Sequence, residues 1–315
     1  MRKKHTFRQN NTSFEMPASV VRDAAKVASK RARLAARGRR GLLPCIVADF
    51  DYTLSAFRVT NERGEKVKSC STHRVIETFS GLAENYRVTA KKLQEFYYPL
   101  EIDTSLSHEQ RDAHMLDWVT KAHDALTQHS GLCRDDISKA VAEATVKLRD
   151  GASRLLRTSE RNGVKLIIFS AGIDDVLREI LTQRQEPFSH ALVESNKMVF
   201  DDDSGALVGF GSSVYFTGNK TATVAIEKIQ EYLGCSGTTS SYPDLIVVGD
   251  SIGDLKMSQG LECSDRADQI ILTVGLLNDR VEERLPEFLE KFDVVIAGDG
   301  SLDYVNELLD EILAL

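Results

Sequence analysis

Cys45-Ile46-Val47-Ala48-Asp49-Phe50-Asp51-Tyr52-Thr53-Leu54 decides the fold: a β-rich apolar run ends abruptly in two carboxylates two residues apart, followed by a hydroxyl. In an open α/β sheet, ligands bind beyond the carboxyl ends of the strands, which puts Asp49 and Asp51 where chemistry occurs. Period-two alternation would aim both side chains the same way along a continuing strand. A turn after Asp49 instead lets one carboxylate attack while the other carries protons. A solvated turn produces the same Asp-x-Asp-x-Thr pattern, so the reading depends on the rest of the chain.

Three further signals agree with a phosphate site. Val164-Lys165-Leu166-Ile167-Ile168-Phe169 reads as a buried strand ending in Ser170-Ala171-Gly172 and running into a helical stretch, Ile173 to Leu181. Such an end offers a hydroxyl and free backbone N–H groups at a helix start, where phosphate is stabilised. Leu245-Ile246-Val247-Val248 ends in Gly249-Asp250-Ser251-Ile252-Gly253-Asp254, and two carboxylates on a glycine-rich turn suit a hard, oxygen-seeking Mg²⁺ better than zinc. Asn219-Lys220 opens a helical stretch and supplies a cation. Most serines and lysines are structural or solvated, so Ser170 and Lys220 gain meaning only from this shared order.

These four motifs, in this order, resemble those of the haloacid-dehalogenase-like phosphohydrolases. Asp49 to Ser55, Phe169 to Ile173, Gly249 to Met257 and Gly275 to Val281 look like the cytosolic 5′-nucleotidase III family, also called pyrimidine 5′-nucleotidases. Tyr97 to Asp103, Trp118 to His123 and Glu194-Ser195-Asn196 are similar to the same family, and the likeness runs from about Pro44 to the C-terminus. It implies a Mg²⁺-dependent hydrolase of nucleoside 5′-monophosphates, pyrimidine or 7-methyl-GMP. Asp49 would be the nucleophile and Asp51 the acid and base. The ion would lie on the Asp49 and Asp250 carboxylates and the Asp51 main-chain carbonyl. Ser170, the N–H groups of Ala171 and Gly172, and Lys220 would bind phosphate. Asp254 would orient Lys220 or metal-bound water, and Thr53 would hold the geometry of the two aspartates. Glu101, Trp118 and His123 match residues at the nucleobase, and an acceptor-only Glu101 suits an exocyclic amino group of cytosine or methylated guanine. Val119 and Ala122 stand where the family usually has an aromatic residue and a serine, a departure that bears on pyrimidine selectivity.

The 118 residues between Asp51 and Ser170 far exceed one βα crossover. Apolar residues at three- and four-residue spacing predict helices over Thr72 to Phe79, Thr89 to Tyr97, His108 to Gln128 and Arg134 to Leu148. The expected organisation is a basic arm (1–43), a catalytic core (44–58 and 160–315) and an inserted helical-bundle cap (59–159). After the cap, strands at Ala191 to Glu194, Gln269 to Val274 and Val294 to Ala297 alternate with helices at Lys220 to Tyr232, Val281 to Lys291 and Ser301 to Leu313. That rhythm predicts an α/β, doubly wound parallel sheet with a Rossmann-type core. Met198 to Val208 reads as a hairpin whose Asp201-Asp202-Asp203 is a solvated turn rather than a metal site.

Composition sets further bounds. Five cysteines without a Cys-x-x-Cys pair point to a reducing compartment and away from zinc, and no apolar run approaches the ~20 residues of a membrane span. A cytoplasmic, monomeric enzyme is expected. Residues 1–41 carry twelve Lys/Arg against Glu15 and Asp23, about +10, leaving about −17 for the rest of a chain of net charge −7. Three readings compete for this arm. The first is a helix over Ser19 to Arg37, packed through Val20, Ala24, Val27 and Leu34 and ended by Gly38. The second is a weak nucleic-acid surface, which lacks interleaved aromatics. The third is a targeting segment led by Met1-Arg2-Lys3-Lys4. For the whole chain, a capped hydrolase of phosphoserine or a sugar phosphate is the nearest rival. A non-catalytic phosphoacceptor is a more distant one.

Overall fold

A computed structural model describes residues 19–61, 63–103, 105–235, 242–263 and 268–315. Met1 to Lys4, and with them the targeting reading of the arm, lie outside the described residues. The chain begins with β1 (Ser19–Val20) and α1 (Ala24–Gly38), followed by β2 (Cys45–Ala48). An insert then carries a small hairpin, β3 (Arg58–Thr60) and β4 (Lys66–Lys68), and helices α2 (Thr72–Thr78), α3 (Glu84–Ile102), α4 (His108–His129) and α5 (Asp136–Glu143). Helix α6 (Ala152–Asn162) leads back into β5 (Lys165–Ile173), α7 (Asp174–Gln183), β6 (Leu192–Asn196) and the hairpin β7 (Met198–Phe200) and β8 (Leu207–Phe210). The last part is α8 (Ile226–Leu233), β9 (Leu245–Gly249), β10 (Ile271–Leu277), α9 (Val281–Lys291), β11 (Val294–Ala297) and α10 (Asp303–Leu313).

Seven strands form one sheet in the order β1-β11-β10-β9-β2-β5-β6, parallel except for the antiparallel edge strand β1. Strand β2 is central because all four of its residues are buried and apolar, the signature of a strand covered on both faces. From β2 the chain winds through β5 to β6 at one edge, then returns to β9 on the other side of β2 and proceeds to β11. The order therefore reverses at β2, and the carboxyl ends of β5, β2 and β9 flank the crevice that such a reversal opens.

Helix α1 departs from its expected packing. Val27, Leu34 and Ala35 are buried, whereas Ala24 is exposed, and Gly38 remains helical. A Cβ on Gly38 would lie 2.1 Å from the Ile312 carbonyl oxygen, so this glycine permits close packing on α10 rather than ending the helix. Part of the charge of α1 is matched locally. Lys30 lies 2.6 Å from Asp293, and Arg37 donates to both oxygens of Asp244 at 2.5 and 2.7 Å. The packed-helix reading holds from Ala24 onward, whereas Ser19 and Val20 pair with β11 as the edge strand instead of opening the helix.

Other elements shift as well. Helix α5 stops at Glu143, and the next residues run extended: Ala56 N–H donates to Lys147 O at 2.9 Å and Arg149 N–H to Leu54 O at 2.8 Å. Asp201 accepts from the N–H and hydroxyl of Ser204 at 2.8 and 2.7 Å in an exposed turn, and Asp202 lies 3.4 Å from Arg134.

Candidate active site

The site starts from the last residue in register. Asp49 N–H donates to Val248 O at 3.0 Å, extending the β2–β9 ladder by one bond. The chain then turns sharply through Phe50–Leu54, with Tyr52 at φ 61°, a left-handed conformation unfavourable for a side chain with a Cβ. Arg149 holds it there. This buried guanidinium uses all five of its donors: Tyr52 O (2.5 Å), Thr53 O (2.7 Å), Asn278 Oδ1 (2.8 Å), Gly300 O (2.7 Å) and Asp299 Oδ1 (3.1 Å). Asn278 in turn donates to Tyr52 O at 3.0 Å and lies 3.4 Å from Asp250 Oδ2. Thr53 was expected to steady the two aspartates. Its hydroxyl is buried and makes no hydrogen bond with the described residues, so the steadying falls to Arg149 and Asn278, which grip the main chain instead.

Because of the turn, Asp49 and Asp51 point to different partners. Lys220 Nζ sits 2.9 Å from Asp49 Oδ1 and 2.5 Å from Asp254 Oδ1, with its side chain only 2 % exposed. One oxygen each from Asp49, Asp250 and Asp254 lies within 4.8 Å of the others. Asp254 reaches this position because Gly249 lacks a side chain: a Cβ there would come 2.3 Å from Asp254 Cβ. Ser251 N–H fixes the other oxygen, Oδ2, at 2.9 Å. Asp51 is separate, with its two oxygens accepting from Thr72 N–H (2.9 Å) and the Thr72 hydroxyl (2.7 Å).

Electrostatics follow from this crowding. Burial pushes the Asp49 carboxyl up to about 7, with Lys220 opposing and Asp254 and Asp51 assisting. Asp250 is held well above the usual carboxylate range by burial and by the neighbouring Asp254 and Asp49. Asp51 rises to about 6 through burial, against the pull of the Thr72 bonds. Burial disfavours the Lys220 ammonium, yet Asp254 and Asp49 outweigh it and raise its pKa. Three carboxylates with one lysine form an all-oxygen donor set with surplus negative charge, which fits a hard divalent cation.

The third side of the site is the end of β5. The strand continues through Ser170 to Ile173, so the helix begins at Asp174, and Gly172 N–H donates to Ser170 Oγ at 3.0 Å. Asn196 Nδ2 donates to Ala171 O (2.7 Å) and Ser195 Oγ to Gly172 O (2.7 Å), which fixes the orientation of those peptides. Asn196 also clamps Tyr215 at both its N–H and carbonyl (2.8 Å each), and Asn219 ties Phe216 N–H and Val214 O (2.8 Å each). This shapes the loop that delivers Lys220.

The insert supplies the outer residues. Glu101, at the end of α3, is exposed as a whole residue, yet partial burial of its carboxyl raises its pKa, with Lys68 opposing. Lys68 Nζ lies 4.8 Å from the ring of Tyr52, which places Lys68 beside the catalytic turn. Trp118 stacks on Tyr97 (5.8 Å, 11°), so one of its faces is covered. His123 stacks on Phe210 at 3.7 Å, which covers one of its faces, and lies parallel to His73 at 5.9 Å; its Nε2 is buried with no hydrogen-bond partner among the described residues. Helix α4 meets the core where Asp112 lies 3.6 Å from Lys256 and beside Gly218. Sequence reasoning missed Thr72, Arg149 and His73. The usable signals were Ser71-Thr72 as a capping pair and a lone arginine at the insert's exit.

A doubly wound sheet with paired aspartates beyond β2, a hydroxyl near the carboxyl end of β5 and a lysine–aspartate cluster beyond β9 defines a phosphoric monoester hydrolase of the haloacid-dehalogenase-like class. The chain belongs to the pyrimidine 5′-nucleotidase (UMPH-1) family, whose sequence profile matches residues 52–313. That stretch begins just after Asp51. A 7-methylguanosine phosphate-specific 5′-nucleotidase A of Xenopus laevis is 35% identical over 93% of this chain and 95% of its own length, a span long enough to take in both aspartates. The 7-methylguanosine phosphate-specific 5′-nucleotidase of Gallus gallus is 36% identical over 85% of this chain and 87% of its own. Among solved structures, cytosolic 5′-nucleotidase IIIB bound to cytidine superposes with a TM-score of 0.76 at 27% identity, covering 95% of this chain and 94% of that one.

Proposed function

We propose that this enzyme hydrolyses nucleoside 5′-monophosphates to nucleoside and phosphate with Mg²⁺ as its ion. The observation that carries the reading is the separation of roles at one sheet crevice: Asp49 within the Lys220, Asp250 and Asp254 cluster, and Asp51 held apart by Thr72. Asp49 attacks phosphorus, the P–O5′ bond breaks, and Asp51 gives its proton to the departing oxygen. Asp51 then takes a proton from the water that attacks the aspartyl-phosphate and releases phosphate. Ser170, the Ala171 N–H and Lys220 stabilise the non-bridging oxygens as charge develops, while the Gly172 N–H, expected to join them, donates to Ser170 Oγ and orients that hydroxyl. Asp49, Asp250 and the Asp51 carbonyl would hold Mg²⁺, with Asp254 steadying Lys220. The ion would offset the repulsion between a phosphate dianion and these carboxylates. Helices α2–α5 act as a cap that excludes water from the crevice. The absence of a helix long and apolar enough to cross a membrane among the described residues accords with a cytoplasmic enzyme, as does likeness to a Caenorhabditis elegans protein named putative cytosolic 5′-nucleotidase 3.

The names of the relatives point to 7-methyl-GMP and the cytidine complex to CMP; both bases present an amino group that an ionised Glu101 can accept from. Glu101→Ala should lower kcat/KM for CMP by about 10- to 100-fold, the worth of a charge-assisted hydrogen bond, and for UMP by less. Equal losses on CMP, UMP and an aryl phosphate would make Glu101 structural. The substrate class is tested by phosphate release from all nucleoside monophosphates, 7-methyl-GMP, phosphoserine and a hexose phosphate. Turnover confined to the last two would overturn the reading.

The raised carboxyls give a test of the ion without activity. In metal-free protein, Asp49 (about 7) and Asp51 (about 6) bind protons that unfolded aspartates, near ~3.9, release. Their contribution to stability is complete below the unfolded value and lost as pH rises through the folded ones. Mg²⁺ would compete with the protons on its own carboxylate ligands, Asp49 and the likewise raised Asp250, so it should raise Tm by roughly 3–6 °C near pH 7.5 and far less near pH 5.5. A Mg²⁺ effect that is equal at both pH values would contradict this placement of the ion.

A further inference from the structure

We infer that Thr72, a residue of the insert, is the positioning residue for proton transfer by Asp51; the inference deepens the nucleotidase reading and rests on it. Thr72 is fully buried, and each of its polar contacts has a defined direction. Ile173 N–H, at the end of β5, donates to Thr72 Oγ1 at 3.0 Å. With that lone pair occupied, the hydroxyl proton is directed to Asp51 Oδ2 at 2.7 Å, while Thr72 N–H holds Oδ1 at 2.9 Å. Gly172 makes room for the arrangement, since a Cβ there would lie 2.0 Å from Thr72 Oγ1 and 2.8 Å from Asp51 Oδ2. The contact thus joins three segments: the catalytic turn, the end of β5 and the first helix of the insert.

The chemistry gives this contact a direction as well as a place. When the P–O5′ bond breaks, its electron pair stays on O5′, which takes the proton from the Asp51 carboxyl, and Asp51 becomes a carboxylate. The bond from the Thr72 hydroxyl then changes from one to a neutral acid into one to an anion, roughly twice as strong. Thr72 therefore stabilises the state with the proton transferred more than the ground state, which is the condition for lowering a barrier. It also keeps the carboxylate oriented for the second half-reaction, when Asp51 takes a proton from water. The insert, rather than the sheet, completes the acid–base residue.

The test compares leaving groups. Thr72→Val preserves shape and removes the hydroxyl; Thr72→Ser keeps it; Thr72→Ala serves if the valine variant fails to fold, as judged by circular dichroism. In rapid-mixing experiments with Mg²⁺, release of cytidine from CMP needs a proton on O5′, whereas 4-nitrophenolate leaves 4-nitrophenyl phosphate without one. Thr72→Val should slow cytidine release about 10- to 100-fold with KM within about threefold, and leave the burst of nitrophenolate within about threefold of wild type. Thr72→Ser should recover most of the lost rate. Equal slowing of both substrates, no slowing of either, or equal defects in the serine and valine variants would overturn the inference. A wild type that cleaves nitrophenyl phosphate but no nucleoside monophosphate would instead defeat the nucleotidase reading. In that case a simple alkyl phosphate replaces CMP, and the same comparison decides the role of Thr72.

Discussion

Asp49→Asn should abolish turnover while leaving the fold intact. The amide matches the carboxyl in size and leaves the main-chain N–H bond of residue 49 to Val248 O in place, but it cannot attack phosphorus. Deleting the covalent route should cost at least ~10³-fold in kcat, since the full acceleration of phosphate-ester hydrolysis is far larger. The wild-type carboxyl is already raised to about 7, so the folded state loses little by giving up its charge. Steady-state phosphate release together with a thermal melt checks both halves. A kcat within tenfold of wild type would remove Asp49 from the nucleophile's role.

Lys220→Met should be damaging in a different way. The ammonium is 2.9 Å from Asp49 and 2.5 Å from Asp254 in a site closed to solvent, so its removal leaves buried carboxylates uncompensated. Breaking one side of such a cluster costs about 3–5 kcal/mol. The loss should show as a lower denaturation midpoint in metal-free protein and be partly recovered by Mg²⁺, which supplies positive charge to the same oxygens. Catalysis should not recover: kcat/KM should remain down by about 10²- to 10³-fold, the scale of losing one donor to the transferring group. Unchanged kinetics, or a melt that Mg²⁺ leaves untouched, would show that Lys220 does not belong to this electrostatic unit.

The parts of the molecule legible in the sequence are those fixed by local pattern. Continuous apolar runs such as Cys45 to Ala48 and Leu245 to Val248 can satisfy burial on two faces in only one way, and their polar ends mark the crevice. The termini of the insert's helices were less legible. Helix α3 extends to Glu84 and Ile102, well beyond the expected Thr89 to Tyr97, because its polar first turn and Pro99 mask a continuous helix. Helix α5 ends early since Ala144 to Leu148 is claimed by pairing with the chain that enters the insert, a tertiary bond no local window contains. The hairpin of β3 and β4 is too short to stand out from its charged surroundings.

The same logic separates the site residues. Asp49, Asp51, Asp250 and Asp254 were legible because each follows a strand end, where the fold itself confers meaning; Ser170 and Lys220 were legible from their order in the chain, since β5 runs on through Ser170 to Ile173 and Lys220 lies in the loop ahead of α8. Thr53 was misjudged because its hydroxyl was weighed and its carbonyl was not. Arg149 and Asn278 act on main-chain atoms as far as 226 residues away in the chain, and side chain–backbone bonds of that range leave no periodic trace. Asn278 lies within the Gly275 to Val281 stretch that resembles the family, yet nothing in that stretch says it will hold Tyr52. His123 follows the family pattern in sequence, and the stack with His73 and Phe210 gives it a packing role that the pattern does not reveal.

The central claim is that Asp49 carries the phosphoryl group between nucleotide and water. Its most direct test is to quench a single turnover of CMP with acid, reduce the protein with borohydride, and locate the product by peptide mass spectrometry. An acyl phosphate at Asp49 predicts homoserine at position 49, formed only with substrate and Mg²⁺ and absent from Asp49→Asn. Homoserine at Asp51 or Asp250, or none at all while the quenched samples contain cytidine in excess of phosphate, would contradict the account.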